Sequence, residues 1–335
     1  MRATAAVPVA LAASVTLALA GCSTASDDTA DDTLSVVAST DVYGDIAARI
    51  AGDAADVTSI ITGAVQDPHS YEATARDQLA VAEADLVIEN GGGYDAFMDT
   101  LLDASGTSAL VLNASEISGL IEGDEHDHEA EDADDEGDDH SEEEGDDHAD
   151  EGDEHDHEHI EGFNEHVWYS FHAMEHLAEE IAEHLAELDP ANAETFDTNL
   201  DGFLADLESL EAEAEALHAE AEGLSVAITE PVPLYLLEAV GLTNVTPDAF
   251  SEAIEEGDDL APAVLQETLE IIEGGDVALL AYNSQTAGAE TELVAEAATE
   301  AGVPLVEFTE TLPEGADYVS WMSDNIAAIR AALTA

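Results

Sequence analysis

The sequence predicts an α/β protein of two similar lobes joined by one long helix, and three observations carry that prediction. Short apolar, β-rich runs alternate with amphipathic helical stretches from Leu34 to Leu112, the order that builds a mainly parallel sheet with helical crossovers. The same alternation returns from Ser225 to Leu333. Between the two lies a helical stretch from Ala191 to Glu222, which at 1.5 Å per residue would reach roughly 45 Å and could brace both lobes.

The first lobe opens with the strand Leu34-Ser35-Val36-Val37-Ala38. Asp41 to Ala51 follows as a helix with Val42, Ile46, Ala47 and Ile50 on one side. Val57 to Ile61 is a second β-rich run, and Thr62 to Ser70 a loop carrying Gly63, Pro68 and His69. Thr74 to Ala84 reads as helix and leads into the strand Leu86-Val87-Ile88. Gly91 to Gly93 mark a tight loop, Tyr94 to Leu102 a further helix and Ala109 to Leu112 a strand. In such a lobe, the loops at strand ends are the natural place for a site.

The pattern stops at about residues 122–161. Asp124 to His159 is almost wholly Asp, Glu, His, Gly and Ala and holds His126, His128, His140, His148, His155, His157 and His159. Nothing there can form a core, so it is expected to be a mobile insertion. Foldable sequence resumes at Phe163. Phe171 to Leu188 is a helix with Met174, Leu177, Ile181, Leu185 and Leu188 spaced by threes and fours, and Asp189-Pro190 separates it from the long helix. The second lobe then reads as strand Ser225–Thr229, helices Pro233–Val240 and Ala261–Glu273, strand Val277–Leu280, helix Ala289–Ala301, strand Leu305–Phe308 and a last helix, Tyr318–Leu333. The expected organisation is a leader at 1–21, a tether at 22–33, a first lobe at 34–190, the connecting helix at 191–222 and a second lobe at 223–335.

Arg2 precedes an apolar stretch from Ala5 to Ala20 that ends in Leu19-Ala20-Gly21-Cys22, and acidic sequence follows at once. Such a segment is too short for a membrane span of about 20 apolar residues and is expected to be removed. It resembles a bacterial lipoprotein signal, whose cysteine becomes the lipid-bearing N-terminus. Cys22 is the only cysteine, so no intramolecular disulfide can form. The charge balance is 80 acidic residues against 4 basic ones, with no lysine. That surface repels phosphate backbones and argues against nucleic-acid binding. Acidity spread through nearly every helix also fits a protein kept soluble in a salty medium, so it identifies no site by itself.

Four residues at strand ends or helix starts stand out: His69 after Pro68, His166 before Val167-Trp168, Glu230 before Pro231-Val232-Pro233, and Glu310 after the strand ending at Phe308. Each is ambiguous alone. Together, two in each lobe, they make two imidazoles and two carboxylates, a set suited to zinc, manganese or iron. Tyr71 and Trp168 are expected to support the neighbouring ligands, Trp321 and Met322 to lie in the core or at the lobe contact, and His172, His176 and His184 to take surface or helix-packing roles, with a metal-rich helix face as the alternative.

Pro68-His69-Ser70-Tyr71-Glu72 and Asn164-Glu165-His166-Val167-Trp168 carry a resemblance, over essentially the whole mature chain, to the zinc and manganese substrate-binding proteins of ABC importers. The resemblance implies two lobes with a stiff connecting helix and a metal site in the cleft between them. His69 and His166 take the place of the family's two histidine ligands. Glu230 takes the third position, five residues before Tyr235 and ahead of Gly241-Leu242, where many zinc-binding members carry histidine and several manganese-binding members glutamate. Glu310, in Thr309-Glu310-Thr311-Leu312, takes a position usually held by aspartate.

The function implied is that of an extracytoplasmic, monomeric receptor. It would be lipid-anchored to the cell membrane through Cys22 and would pass its metal to an ABC permease with a cytoplasmic ATPase. Zinc (Zn2+) is the expected cargo, since the His-rich insertion lies where zinc-capturing members often carry such a loop. Manganese (Mn2+) is the alternative, because a carboxylate at position 230 makes the site harder. A secreted zinc hydrolase is disfavoured: there is no His-Glu-x-x-His, no nucleophile motif around Ser251 or Ser284 and no Gly-x-Gly-x-x-Gly after a strand. Metal buffering or adhesion without transport is the third class considered.

Overall fold

The computed structural model describes residues 33–63, 68–121, 160 and 162–334. The leader with Cys22, the tether, Gln66-Asp67, and the insertion with His126, His128, His140, His148, His155, His157 and His159 lie outside the described residues.

Strands β1 (Leu34–Thr40), β2 (Ala55–Ile61), β3 (Leu86–Glu89) and β4 (Leu110–Asn113) form a parallel sheet in the order β2-β1-β3-β4. The crossovers carry α1 (Asp41–Ala51), α2 (Ala75–Ala82) and α3 (Phe97–Ser105), and a short α4 (Ala114–Ile117) follows β4. Helices α5 (Phe171–Leu188) and α6 (Ala193–Ala221) lead to the second sheet. There β5 (Ser225–Ile228), β6 (Thr243–Asn244), β7 (Val277–Asn283) and β8 (Leu305–Phe308) repeat the same topology, β6-β5-β7-β8, all parallel. Its helices are α7 (Leu234–Ala239), α8 (Asp248–Glu255), α9 (Pro262–Glu273), α10 (Ala289–Ala301) and α11 (Tyr318–Leu333).

The central strands β1, β3, β5 and β7 are buried almost throughout because both faces of each sheet are covered there. In β1, Val36 and Ala38 face a core shared by both lobes, whereas Val37 points the other way onto Val81, Val87, Phe97, Met98 and Leu101. In β5, Val226 and Ile228 face the shared core, and Ala227 meets Phe250, Ile272, Leu280 and Val294 on the outer side. This two-residue alternation is the strand period. The shared core is filled from α1, α5, α6 and α11, and α6 packs against α1 and α5 as well as α7 and α11.

Two of the four arginines grip α6. Arg49 of α1 pairs with Asp206 and lies 5.3 Å over the Phe203 ring, and Arg330 of α11 donates to the Glu213 carbonyl at 3.3 Å. Asp41 and Asp45, on α1, accept from the second lobe: Asp41 from Leu312 N–H at 3.0 Å and Asp45 from Tyr318 N–H at 2.9 Å. Burial pushes both carboxyls upward, and the backbone donors pull against it.

Several expectations are revised. The helix after Gly93 begins at Phe97, not Tyr94, because Gly91, Gly92 and Gly93 all adopt positive φ and Tyr94–Ala96 remain in the turn. The strand from Val277 runs on to Asn283. The elements α4, β6 and α8 carry no periodic signal long enough to announce them: four, two and eight residues respectively.

Candidate metal centre

In both sheets the strand order reverses at the central pair, β1/β3 and β5/β7, and ligand crevices open beyond the carboxyl ends of strands at such points. Residues from those ends meet here. Glu230 follows β5, Asn283 ends β7, Glu310 follows β8, and the turn after β3 supplies Tyr94. His69 enters from the turn after Pro68, and His166 from the segment leading into the short Val167–Tyr169 turn.

His69, His166 and Glu310 each offer a ligand atom, and the three atoms lie within 4.8 Å of one another. The His69 and His166 rings are 6.3 Å apart at 60°, and His69 Nε2 is 4.0 Å from Glu310 Oε2. Donors around a tetrahedral ion with bonds near 2.0–2.1 Å stand about 3.3 Å apart, so a modest contraction would bring this set to bonding distance.

His166 is wholly buried. Its Nδ1 lies 2.7 Å from Asn164 Oδ1, so Nδ1–H donates to that amide oxygen and Nε2 carries the lone pair in the neutral ring. Asn164 is itself fixed from the other lobe: its Nδ2 donates to the Pro231 carbonyl at 3.1 Å, and Tyr235 O–H donates to the Asn164 carbonyl at 2.8 Å. Glu310 accepts from Tyr94 O–H at 3.2 Å and from Asn283 Nδ2 at 2.7 Å.

Glu230 stands beside this group, not within the closest three. Asn283 Nδ2 and Thr286 O–H both donate to its carboxylate, so Asn283 ties Glu230 to Glu310. Glu255, the last residue of α8, lies 3.5 Å from His166 Nε2, and a second group brings together His69, Glu165 and Glu255. Burial first, and then the charges of Glu165, Glu230 and Glu310, push the Glu255 carboxyl up to about 10. A divalent cation would relieve the repulsion among buried carboxylates crowded around two imidazoles.

Sequence reasoning missed Glu255, Glu165, Asn283 and Tyr94. Glu255 is one of 80 acidic residues, on a helix that was not anticipated, so no signal marked it. Asn283 ends an apolar strand, but Asn113 does the same on β4, so that signal alone does not single it out. Trp168 packs on His166 at 5.1 Å as expected, but Tyr71 turns away to Phe97 and donates to Asp77. Tyr94 takes the supporting place, edge-on to His69 at 4.9 Å. Trp321 and Met322 are buried, with Trp321 against Tyr169.

A family model described as zinc-uptake complex component A periplasmic (ZnuA) matches residues 36–332. The manganese-binding lipoprotein MntA of Halalkalibacterium halodurans is 31% identical over 108 residues, which span 32% of this chain and 36% of that protein. Among solved structures, the periplasmic zinc binding protein TroA from Treponema pallidum aligns with a TM-score of 0.66 at 20% identity, over 89% of this chain and 98% of that one. The Pseudomonas aeruginosa protein FpvC in complex with Ni2+ aligns with the same TM-score of 0.66 at 22% identity, over 90% and 97%.

Proposed function

Because the chain belongs to the zinc-uptake complex component A periplasmic family, we propose that it is the extracytoplasmic receptor of an ABC importer for a first-row divalent transition metal. The observation that carries this reading is the meeting of His69, His166 and Glu310, from three distant segments, at the carboxyl ends of two parallel sheets. His69, His166 and Glu310 are the proposed ligands, with Glu230 drawn in as fourth when the Asn283 bridge yields. The metal is the cargo, to be released to a permease and its ATPase. A receptor of this kind would be held at the membrane by lipid on Cys22; among the described residues no helix is long and apolar enough to cross one.

For the metal itself, the surroundings support manganese best. Glu165, Glu230 and Glu255 add carboxylate oxygen around the two imidazoles, which moves the site toward harder ions. Zinc is the second reading, favoured by the two imidazoles and by the seven histidines of residues 124–159. Chelator-controlled competition between Mn2+ and Zn2+ on the purified, lipid-free chain, with and without residues 124–159, tests both readings. One tightly held ion should survive deletion of the insertion and disappear in His69→Ala and Glu310→Ala. Glu230→Ala should weaken it. Tight binding unchanged in His69→Ala would place the metal elsewhere.

A further inference from the structure

A second pair of histidines lies outside this centre. His172 and His176, four residues apart, stack on one face of α5, and their rings meet 4.3 Å apart at 62°. The opposite face is locked in the shared core by Ala173, Met174, Leu177 and Ala178, so the pair rides on a rigid support. His176 Nδ1 lies 3.3 Å from the Ile117 carbonyl oxygen. A carbonyl only accepts, so Nδ1 carries the proton and Nε2 of the neutral ring keeps its lone pair. Metal-binding histidines are commonly oriented this way, by a backbone carbonyl on the other nitrogen. His172 is 64% exposed and can turn, and Glu175 places a carboxylate oxygen 3.6 Å from its Nδ1.

We infer that His172 and His176 chelate a divalent ion of the imidazole-preferring class, Zn2+, Ni2+ or Cu2+, on the surface of α5, with the Glu175 carboxylate offsetting part of its charge. Two histidines four residues apart on a helix are the spacing zinc-binding helices use. Two imidazoles on one tetrahedral ion have ring centres about 5 Å apart, less than about 1 Å beyond the separation seen here. A change of rotamer at the exposed His172 would supply that opening. Mn2+ stands lowest in the affinity series for such ligands and is poorly held by two neutral imidazoles. The chain's acidity, 80 acidic residues against 4 basic, concentrates cations around the site. The inference is independent of the interior centre, with which it shares no residue.

The test is equilibrium dialysis of the full chain with the seven histidines of residues 124–159 changed to asparagine, so that only other sites are counted. In Zn2+ or Ni2+, His172→Ala/His176→Ala should bind one ion fewer than its parent, and His69→Ala should leave that ion in place. His176→Ala alone should weaken it roughly 100-fold, since a chelate becomes a single contact. Mn2+ should show no such ion. If alanine disturbs α5, His172→Gln/His176→Gln keeps the bulk and must show the same loss. Equal stoichiometry in parent and double variant overturns the inference. Unchanged affinity in His176→Ala does so too, because the ring contact would then be packing alone.

Discussion

His166 owes its usable lone pair to one neighbour. The Asn164 amide oxygen takes the Nδ1 proton at 2.7 Å, and the same side chain donates across to the Pro231 carbonyl at 3.1 Å. Asn164 therefore sets the tautomer of one proposed ligand and anchors the backbone next to another, Glu230. Asn164→Ala is expected to weaken metal binding about 10- to 100-fold while the chain stays folded. Chelator competition together with circular dichroism measures this, and full affinity in a folded variant would refute the role. Asn283 acts similarly on the carboxylate side, with Nδ2 shared between Glu230 and Glu310. Neither amide is among the proposed ligands, yet both hold the side chains that would face an ion.

At the scale of elements, the ends of β3 and β4 show what a strand terminus costs when it carries acid. Glu89 ends β3, its carboxylate accepts from Asn113 Nδ2 at 2.9 Å, and burial with nearby Asp95 pushes its pKa from 4.5 to about 7. The turn that follows depends on Gly91: its φ is +71°, and a Cβ there would collide with the Asn113 amide. Because the folded chain holds the Glu89 proton to higher pH than the unfolded chain, stability falls as pH rises between 4.5 and about 7, then levels. One such group accounts for up to roughly 3 kcal/mol. Glu89→Gln keeps the acceptor and loses the ionisation, so its stability should drop less than that of the parent between pH 5 and pH 8. Urea unfolding at the two pH values measures the difference, and parallel losses would exclude Glu89 as the cause.

For the whole molecule, charge is the dominant liability. With 80 acidic residues against 4 basic ones, self-repulsion opposes compaction, and two of the arginines are already committed to α6. The screening length falls from about 10 Å at 0.1 M salt to about 3 Å at 1 M. The thermal midpoint of the chain is therefore expected to rise by several degrees over that range of KCl. A flat or falling midpoint in calorimetry would mean that the carboxylates are spaced widely enough not to matter.

Much of this protein was determined by sequence alone. Hydrophobic period placed α5, α10, β8 and α11 at the residues they occupy, because long amphipathic helices and doubly buried strands carry their own signal. The repeated alternation pointed to two parallel sheets, and the motifs around His69, His166 and Glu310 named the three side chains that converge. Short elements such as β6 and α8 were silent, since two or eight residues hold too little periodicity. Only the tertiary structure decided how the carboxylates stand around the imidazoles: Glu310 closely, Glu230 set back behind Asn283, and Glu255, which no motif marked, beside His166. The reason is physical. A carboxylate's part in such a centre comes from burial and from what other segments bring within a few ångströms, and neither is written in its local sequence.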